Sequence, residues 1–511
     1  MSDTPNVKRL HFIMQRLPLH VKIYLQFFFS VMCKCIFIVF FKIICYIFPM
    51  KTLIPAQSSD VRNFYHALFI LVGPIALQNL ITAAVGSADV IMLGCVGQTA
   101  IAAVSLAGQI QFVLMLFFTG MSSGLIMLTA QYWGKKDSES IETLTGIAMR
   151  LSCATGILFT VVAFMFPRSL MRIFTNDESL ISSGAEYLKI VSFSYFLLSV
   201  SQIFQAVLKS IEHVKLVTAL TASALILNVF LNAVFIFGLF GVPRSGIKGV
   251  ALATTIARVI ELILTTAASL HIKSIHLTPA VILKRNKLLL KDFSRYSLPA
   301  LGNELVWGAA FSMYSVIMGH LGEDIVAANS VVNVARNLVS VLCFGMAYGG
   351  AILIGKEMGS GNLENAKKDA SHLCRSTIAA GVLAGILLLL CRPLVFKIAV
   401  LTPQATSLLG IMVYINACSI VGAAINTVMI CGIFRAGGDA KFGFILDIIS
   451  MWCVSVPLGL LCAFVFHLPP ILVYFVLYLD EFEKMPVIVH HYLKGTWAKN
   501  ITRDFSGSSY V

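Results

Sequence analysis

Twelve long apolar stretches are the feature that most constrains how this chain of 511 residues can fold. Most of them reach the roughly 20 residues that a helix needs to cross the hydrocarbon core of a bilayer. The stretches occupy residues 66–93, 101–132, 143–166, 181–208, 215–240, 247–270, 295–319, 325–355, 369–390, 406–434, 442–466 and 469–483. Strands of a membrane barrel would instead alternate in segments of about 10 residues. The sequence therefore predicts an all-α polytopic membrane protein with twelve transmembrane helices.

Composition excludes the soluble alternatives. Hydrophobic residues make up 58% of the chain, charged residues 12%, and the mean hydropathy is +0.87. Soluble chains carry about 25% charged residues, so the polar side chains here are too few to cover a water-soluble particle. This excludes a cytosolic enzyme, a disordered chain and a nucleic-acid-binding domain. The 12 cysteines are scattered without a CxxC pair and are expected to be packing residues.

Lysine and arginine are distributed unevenly between the loops. Loops that follow the even-numbered stretches hold 15 of them, and loops that follow the odd-numbered stretches hold 6. Basic loops stay in the cytoplasm, so both ends of the twelve-helix body are predicted to be cytoplasmic, in the plasma (inner) membrane. A cytoplasmic loop over 271–294 and a cytoplasmic tail over 486–511 follow from the same count.

A further apolar run at 23–49 is at odds with this topology. It contains Lys34 and Lys42, and a basic segment precedes it. As an additional span it would force one cytoplasmic segment to the outside. Three interpretations remain open: a helix in the membrane interface, an extra span that overrides the charge bias, and a working chain that begins at Met50. We favour the last and expect residues 1–63 to be an extension outside the helical body.

An internal repeat relates the two halves of the chain. Shifted by 225 residues, the halves align without a gap from 74 to 134. The matched pairs include Pro74 with Pro299, Gly94 with Gly319, Gly120 with Gly345, Gly124 with Gly349, and Gly134 with Gly359. A constant offset of 225 residues over this length indicates that the chain arose by duplication. Six stretches per half give parallel repeats around a central cleft, which is typical of transporters, with predicted lobes at 64–270 and 295–485.

Few ionisable residues lie deep in the apolar stretches, and burying each is costly. Asp89, late in the first stretch, is a candidate proton carrier or cation ligand, or else a residue of the outer interface. Glu304 follows Pro299, whose missing N–H can leave backbone carbonyls available as ion ligands. The repeat partner of Glu304 is Asn79, so this carboxylate belongs to one half only. That asymmetry favours a functional role for Glu304.

Amide side chains accompany these carboxylates. The eighth stretch carries a polar stripe on one helical face: Asn329, Asn333, Arg336 and Asn337. The stripe either faces a cleft or joins helices by hydrogen bonds, and Arg336 is a candidate partner for Glu304. Asn228 and Asn232, one turn apart in the fifth stretch, are candidates to coordinate a cation, to relay hydrogen bonds to Asp89, or to hold helices together.

The remaining charged residues discussed here are given a structural role or no role. Arg258 and Glu261 are one turn apart in the sixth stretch and are expected to neutralise each other. Asp447, near Lys441, is given no role. The sequence contains no Walker A motif, GxSxG, HExxH or dinucleotide fingerprint. We therefore expect neither an enzyme nor a bound cofactor.

Several segments resemble the multidrug and toxic compound extrusion (MATE) family of bacterial efflux transporters. They are Pro74–Asn79, Ala88–Gly94, Ala100–Val104, Leu227–Asn232, Gly246–Thr254 and the surroundings of Glu304. The likeness covers about residues 64–503, which leaves out the N-terminal extension. It implies two six-helix lobes and export of bulky, often cationic organic compounds, driven by inward flow of H⁺ or Na⁺.

The resemblance also assigns roles to single residues. Asp89 matches the family's first-helix carboxylate, which is associated with ion coupling, and Asn228 matches a fifth-helix asparagine beside it. Glu304 falls in the region of a seventh-helix carboxylate that coordinates cations in some branches. Asn232 stands where some members have an aspartate.

A second departure lies in the tenth stretch. It offers Asn416 and Asn426 but no carboxylate where the sodium-coupled branch has one. The two departures leave the coupling ion open. Transient Na⁺ binding at Glu304 or Asp89 is one implication, and no structural metal is expected.

The sequence thus predicts a cation-coupled antiporter that rocks between inward-open and outward-open states. The ion-coupling residues are expected to be Asp89, Glu304, Asn228 and Asn232. The substrate cleft is expected to include Asn79, Asn329, Asn333, Arg336 and Asn337. Its partners are small organic substrates and the lipid bilayer, and it is expected to act as a monomer.

Two other functions remain as alternatives. A flippase for a lipid or lipid-linked saccharide would need a large cationic cleft to hold pyrophosphate. A membrane receptor or membrane-embedded enzyme has no support, since neither a large soluble domain nor a catalytic constellation is visible.

Overall fold

The computed structural model describes residues 58–272, 275, 284–398 and 401–504. The apolar run at 23–49, the proposed start at Met50 and part of the 271–294 loop lie outside the described residues. From Val61 onward the chain forms one compact unit. Within the described residues every regular element is a helix, so the all-α prediction is confirmed.

The described part of the first half forms eight α-helices. They are α1 (Ser58–Gly94), α2 (Gln98–Lys135), α3 (Ser138–Met165), α4 (Pro167–Arg172), α5 (Glu178–Val191), α6 (Phe193–Ser210), α7 (Val214–Phe237) and α8 (Gly246–His271), with a 3₁₀ turn at Leu239–Gly241. Asp137 caps α3 by accepting from the Ser140 N–H at 3.0 Å. The axes of α5 and α6 differ by 47°, and the two helices are long and apolar enough to cross a membrane only when taken together as one bent pair.

The second half repeats the pattern with more irregular helices. They are α9 (Lys287–Gly319), α10 (Glu323–Gly359), α11 (Leu363–Leu390), α12 (Arg392–Ile398), α13 (Pro403–Thr427), α14 (Ala440–Asp447), α15 (Val456–Leu460), α16 (Pro470–Leu477) and α17 (Asp480–Lys494). Three π-helical segments, Val428–Phe434, Ile448–Ser455 and Leu461–Val465, continue α13, α14 and α15. Such widened turns often mark functional sites, because they push a side chain out of the regular register.

Nine continuous helical segments of the described part are long and apolar enough to cross a membrane, and the ninth, Ala440–Val465, joins α14, α15 and their π segments. The bent pair α5 and α6 would make ten. Two predicted spans fall short, the seventh and the twelfth. The seventh corresponds to α9, which opens with charged residues. The twelfth corresponds to α16 and α17, and α17 carries Asp480, Glu481 and Lys484, all buried in the protein. Helix α17 also runs on to Lys494, beyond the predicted lobe boundary at 485.

The two halves meet where α2 packs against α9 and α10. One hydrophobic cluster crosses this junction and joins Leu125 and Leu128 of α2 with Phe293 of α9 and Ile352 of α10. A second cluster lies within the first half around Leu114. A third lies within the second half around Tyr474.

Glycines allow the helices to touch at this junction. A Cβ added to Gly134 would overlap the carbonyl oxygen of Lys356, and one added to Gly359 would overlap the carbonyl oxygen of Gln131. Gly134 and Gly359 are repeat partners, and so are Gln131 and Lys356. The same contact therefore occurs twice, as expected for two parallel repeats related by a twofold axis.

These contacts lie at one end of the helix bundle. We call it the basic end, defined by the turns at 136–137, 211–213, 360–362 and 436–439 and by the tail strap, residues 495–504. Lys356 pairs with Glu212 across the lobes here, at 2.7 Å. The lobes are thus in direct contact at the basic end.

Candidate transport cavity and lobe interface

A cavity of about 380 Å³ opens within the second half of the molecule. Its walls come from α9, α10 and α13 with its π segment, together with single positions of α2 and α14 and two positions of α17. The aromatic rings of Trp307 and Phe311 form part of the apolar wall. Ala347 and Tyr348 line the cavity, and they precede the Gly349–Gly359 stretch of α10, which leads to the basic end.

Four of the predicted site residues line this cavity: Glu304, Asn333, Arg336 and Asn337. Asn329, on the same helix, is buried at 7% exposure and does not line it. Asn79 is half-buried on α1, away from the cavity lining. The polar stripe of α10 is therefore divided between a cavity-facing part and a part packed against protein.

Arg336 pairs with Glu481 of α17 and not with Glu304. Its Nη2 lies 3.4 Å from Oε1 of Glu481. The guanidinium carbon also lies 5.1 Å from the centroid of the Tyr478 ring, within the range of a cation–π contact. Glu481 accepts a second hydrogen bond, at 2.9 Å, from Nδ2 of Asn426. The predicted Arg336–Glu304 pair is thus replaced by a pair that involves the last helix.

Glu304 is paired with Arg435, which follows the π segment of α13. The two side chains meet at 2.9 Å, and Arg435 is only 3% exposed. The same Nη1 donates to the Ser123 hydroxyl of α2 at 2.8 Å. Nη2 donates to Oδ1 of Asn303, and Asn303 in turn donates to Asp447. One guanidinium thus connects three helices.

Lys484 occupies the centre of a second charged cluster. Its Nζ lies 2.9 Å from a carboxylate oxygen of Asp447 and 3.2 Å from one of Asp480. All three side chains are at most 7% exposed. A buried ion that loses its partner costs several kcal/mol, so these three groups hold one another in place.

Five charged residues of these clusters were missed by the sequence reasoning or left without a role: Arg435, Asp447, Asp480, Glu481 and Lys484. Arg435 and Lys484 each lie one residue beyond a predicted apolar stretch, because a charged residue ends such a stretch. A comparison of the repeats would have found part of the site. Asn303 and Asp447 align with Gln78 and Thr221 of the first half, which are themselves in contact at 3.5 Å.

In the first half, Asp89 lies beside the asparagines of α7. Nδ2 of Asn232 donates to the Asp89 carboxylate at 2.8 Å, and a longer contact of 3.4 Å joins Asn232 to Asn228. Nδ2 of Asn228 reaches the Thr254 hydroxyl at 3.4 Å. The structure thus brings these three predicted residues together. Asp89 has no cationic partner in the described part of the chain.

The predicted neutralisation of Arg258 and Glu261 is confirmed. The two side chains form an ion pair on α8. Glu261 also accepts from Nε2 of Gln205 at 3.0 Å and is only 1% exposed. Because Glu261 of α8 is bound by Gln205 of α6, it is suited to joining these two helices.

The tail strap crosses the lobe interface at the basic end. Gln131 of α2 donates to the backbone carbonyl of Lys499 at 3.0 Å and accepts from the backbone N–H of Ile501 at 2.8 Å. Arg503 binds the Asp292 carboxylate of α9 through Nε and Nη2. The strap therefore holds α2 and α9, which belong to different lobes.

No group of three or more His, Cys, Asp or Glu side chains in the described segments is arranged to hold a metal ion. The carboxylates of the cavity are instead occupied by arginine, lysine and amide groups. What the arrangement offers a substrate is an apolar, aromatic cavity with charged groups at its walls.

Comparison with known families and proteins agrees with this architecture. The family named MatE matches residues 74–234 and 300–461, one segment in each half of the chain. A "Probable multidrug resistance protein NorM" of Rhizobium meliloti is 27% identical over 444 residues, covering 82% of this chain and 90% of that protein. An "Uncharacterized transporter YisQ" of Bacillus subtilis is 24% identical over 397 residues, covering 77% and 87%.

Solved structures share the fold. A mutant of the Vibrio cholerae MATE transporter VcmN superposes with a TM-score of 0.78 at 16% identity, covering 87% of this chain and 99% of that one. A MOP superfamily transporter from Pyrococcus furiosus superposes with a TM-score of 0.77 at 18% identity, covering 84% and 96%. The two-lobe architecture predicted from the repeat is therefore confirmed.

Proposed function

Since the chain belongs to the MatE family of transporters, we propose that it is a secondary active multidrug efflux transporter that exports organic, often cationic compounds in exchange for H⁺. Relatives described as multidrug resistance proteins support the substrate class. The excess of Lys and Arg in the loops of the basic end supports a cytoplasmic position for that end. Closure there corresponds to a state that releases substrate to the outside.

The observation that carries the proposal is the environment of Asp89. It is half-buried within α1, and its hydrogen-bond partner is the neutral amide of Asn232, at 2.8 Å. A carboxylate bound to an amide can take up a proton without leaving a buried cation unpaired. Each cavity carboxylate described above has a cationic partner, so protonating it would break an ion pair. This contrast makes Asp89 the first candidate for H⁺ exchange.

The coupling cycle follows from charge. In the outward-open state Asp89 takes up H⁺ from the outer solution, and the loss of its negative charge favours release of a cationic substrate. The lobes then rock, the basic end opens, and H⁺ leaves to the cytoplasm. The ionised carboxylate now attracts the next cation, and the aromatic residues Trp307 and Phe311 of the cavity wall are suited to bind it.

We prefer H⁺ to Na⁺ because of the donors around Asp89. Na⁺ would need several oxygen ligands, whereas Asn232 presents an N–H to the carboxylate. A transient Na⁺ at Asp89 or Glu304 is the outcome that would replace this part of the proposal. The flippase alternative gains no support from the described cavity, because Arg336, Arg435 and Lys484 are each bound by a carboxylate and are not free to hold pyrophosphate.

The test is transport by the purified protein in proteoliposomes, with a proton gradient and a sodium gradient imposed separately and ethidium as the fluorescent substrate. We expect uptake or release to follow the proton gradient and to be lost in Asp89→Asn. Glu364→Gln, which neutralises a carboxylate that is 83% exposed, is the matched control and retains transport. Wild-type rates in Asp89→Asn, or transport that follows only the sodium gradient, would contradict the proposal.

A further inference from the structure

Helix α9 is longer than a membrane span needs, and its extra length lies at the basic end. It has 33 residues, whereas the hydrocarbon core takes about 20. Counted back from Gly319, at the opposite end of α9, a span of that length ends near Pro299. Residues 287–298 therefore pass through the headgroup region of the bilayer, and Leu298, 63% exposed, lies at the edge of the hydrocarbon core.

Three cations follow one face of this extension. Lys287, Lys291 and Arg295 recur every four residues, so they lie on the same side of the helix, about 6 Å apart along its axis. We call these three residues the basic stripe. Their side chains are exposed, whereas Leu289 and Phe293 on the other side of the helix are buried in protein. The basic stripe therefore faces away from the helical body.

Within the described part of the chain, no carboxylate forms an ion pair with the basic stripe. The nearby pairs belong to Lys284, which binds Glu139, and to Asp292, which is buried and bound by Arg503. The segments outside the described residues contain one acidic side chain, that of Asp3, among a larger number of lysines and arginines. Like charges four residues apart on a helix repel each other. An anion that does not belong to this chain is needed to neutralise the stripe.

We propose that the basic stripe binds the phosphate of an anionic phospholipid headgroup, in the leaflet at the basic end. The phosphate lies against Arg295 and Lys291, at headgroup depth. Lys287, farther from the core, adds long-range attraction and reaches back along its flexible stem. The binding requires only that the chain lies in a bilayer, so it is independent of the coupling ion and of the transported substrate.

The apolar side chains beside the cations favour a lipid over a soluble anion. Leu288 is 49% exposed and Leu298 is 63% exposed, on the same side of α9 as the stripe. An acyl chain that runs into the core from a phosphate at Arg295 passes Leu298. The ring centroid of Tyr296 lies 5.8 Å from the guanidinium carbon of Arg295, and tyrosine is enriched at this depth of a membrane.

The basic stripe is not part of the duplicated scaffold. At the offset of 225 residues, Lys291 corresponds to His66 of α1 and Arg295 corresponds to Ile70. The first half therefore lacks the cation closest to the hydrocarbon core, although α1 is also a long helix at the matching position. The helix does not depend on these charges, and the lipid site belongs to the second half alone.

The experiment counts the lipids that the full-length protein retains. The protein is purified in micelles that contain equimolar phosphatidylglycerol and phosphatidylcholine, and bound lipids are identified by native mass spectrometry. We expect wild type to retain phosphatidylglycerol in preference. Each cation near a phosphate contributes about fivefold to this preference. Single substitutions by glutamine should each lower it about fivefold, and the triple variant Lys287→Gln, Lys291→Gln, Arg295→Gln should abolish it.

Two control variants separate the stripe from total charge. Lys136→Gln, Lys215→Gln and Lys441→Gln together remove the same charge from exposed positions on other elements of the basic end and should keep the preference. Lys287→Arg with Lys291→Arg retains the charge of the stripe and should also behave as wild type. Both controls keep the buried side of α9 unchanged.

Three results would overturn the inference. The first is a wild-type preference for phosphatidylglycerol in the triple glutamine variant. The second is an equal loss in the control that removes three other lysines, which would reduce the effect to net charge. The third is displacement of the lipid by excess inorganic phosphate at constant ionic strength, which would assign the stripe to a soluble anion. Failure of transport in proteoliposomes would contradict the proposed function and leave this lipid site unaffected.

Discussion

Arg503 of the tail strap binds Asp292 of α9 through two nitrogens of its guanidinium, one of them at 2.7 Å. The backbone N–H of Arg503 also donates to the Tyr132 hydroxyl of α2 at 3.1 Å. One residue near the end of the chain thus touches both lobes. The strap lies on the basic end, so it stabilises the same closed state as the contacts between α2 and α10.

Loss of the Arg503–Asp292 pair is expected to weaken this closure. Arg503→Ala should lower stability by about 1 kcal/mol, because the pair is partly exposed but bound through two nitrogens. The purified protein should melt a few degrees lower in a detergent thermostability assay. Arg285→Ala, an exposed arginine near the start of α9, is the control and should leave the melting temperature unchanged. Equal melting of both variants would show that the strap does not hold the lobes.

Replacing Asn232 by aspartate is expected to move the pH dependence of transport. Nδ2 of Asn232 lies 2.8 Å from the Asp89 carboxylate, and two carboxylates at that distance cannot both be ionised. Repulsion between two ionised carboxylates favours the form in which they share one proton. The pH profile of efflux from proteoliposomes should shift to alkaline values by about one unit or more.

Asn232→Ala serves as the control for that shift. It removes the hydrogen bond to Asp89 without adding a charge, so it should not reproduce an alkaline shift of the same size. An unchanged profile in Asn232→Asp would mean that Asp89 does not titrate during transport.

A methyl group at the lobe interface should prevent closure of the basic end. In Gly359→Ala the added Cβ would overlap the carbonyl oxygen of Gln131, which is backbone and cannot move aside. Overpacking of this kind costs about 1–3 kcal/mol. We expect lower efflux at normal expression. Gly108→Ala, where a Cβ meets no atom within 4 Å, is the matched control. Normal efflux in Gly359→Ala would argue that transport does not require this contact.

Removal of the Lys484 charge is expected to destabilise the second lobe. Lys484→Met leaves Asp447 and Asp480 facing each other without their cation, which costs about 3–5 kcal/mol for a buried pair. Folded protein should be scarce in fluorescence-detected size-exclusion chromatography. Adding Asp447→Asn and Asp480→Asn to Lys484→Met should restore the folded peak, since no unpaired charge remains. Lys494→Met, at an exposed position of the same helix, controls for a lost surface lysine.

The fold was largely predictable, because it depends on properties that are strong in the sequence. The length of the apolar stretches predicted the helices. The glycines and prolines that match at a constant offset predicted the two repeats. Gly134 and Gly359 show why this worked: they are conserved between the halves because the backbones touch there. The bend between α5 and α6 and the π segments escaped prediction, since each depends on packing between helices that are distant in sequence.

The site was predictable only in part, and the missed residues share a cause. A charge at the edge of an apolar stretch ends the predicted span, so Arg435 and Lys484 fall just outside the tenth and twelfth stretches. Each is nevertheless buried, because a carboxylate from another helix neutralises it. The contact between Asp89 and Asn232 could be predicted from their positions in the first and fifth stretches. The partner of Arg336 could not, since Glu481 lies on a helix whose extent was itself mispredicted.

The reciprocal contacts of Gly134 with Lys356 and of Gly359 with Gln131 have a consequence for how such a chain arises. Each half presents the same patch to the other, which is the arrangement of a symmetric homodimer. A single six-helix gene could therefore have assembled a two-chain carrier through this patch before the copies were fused. The two copies now differ at equivalent positions: Gln78 contacts Thr221 without a charge, whereas Asn303 contacts the carboxylate of Asp447.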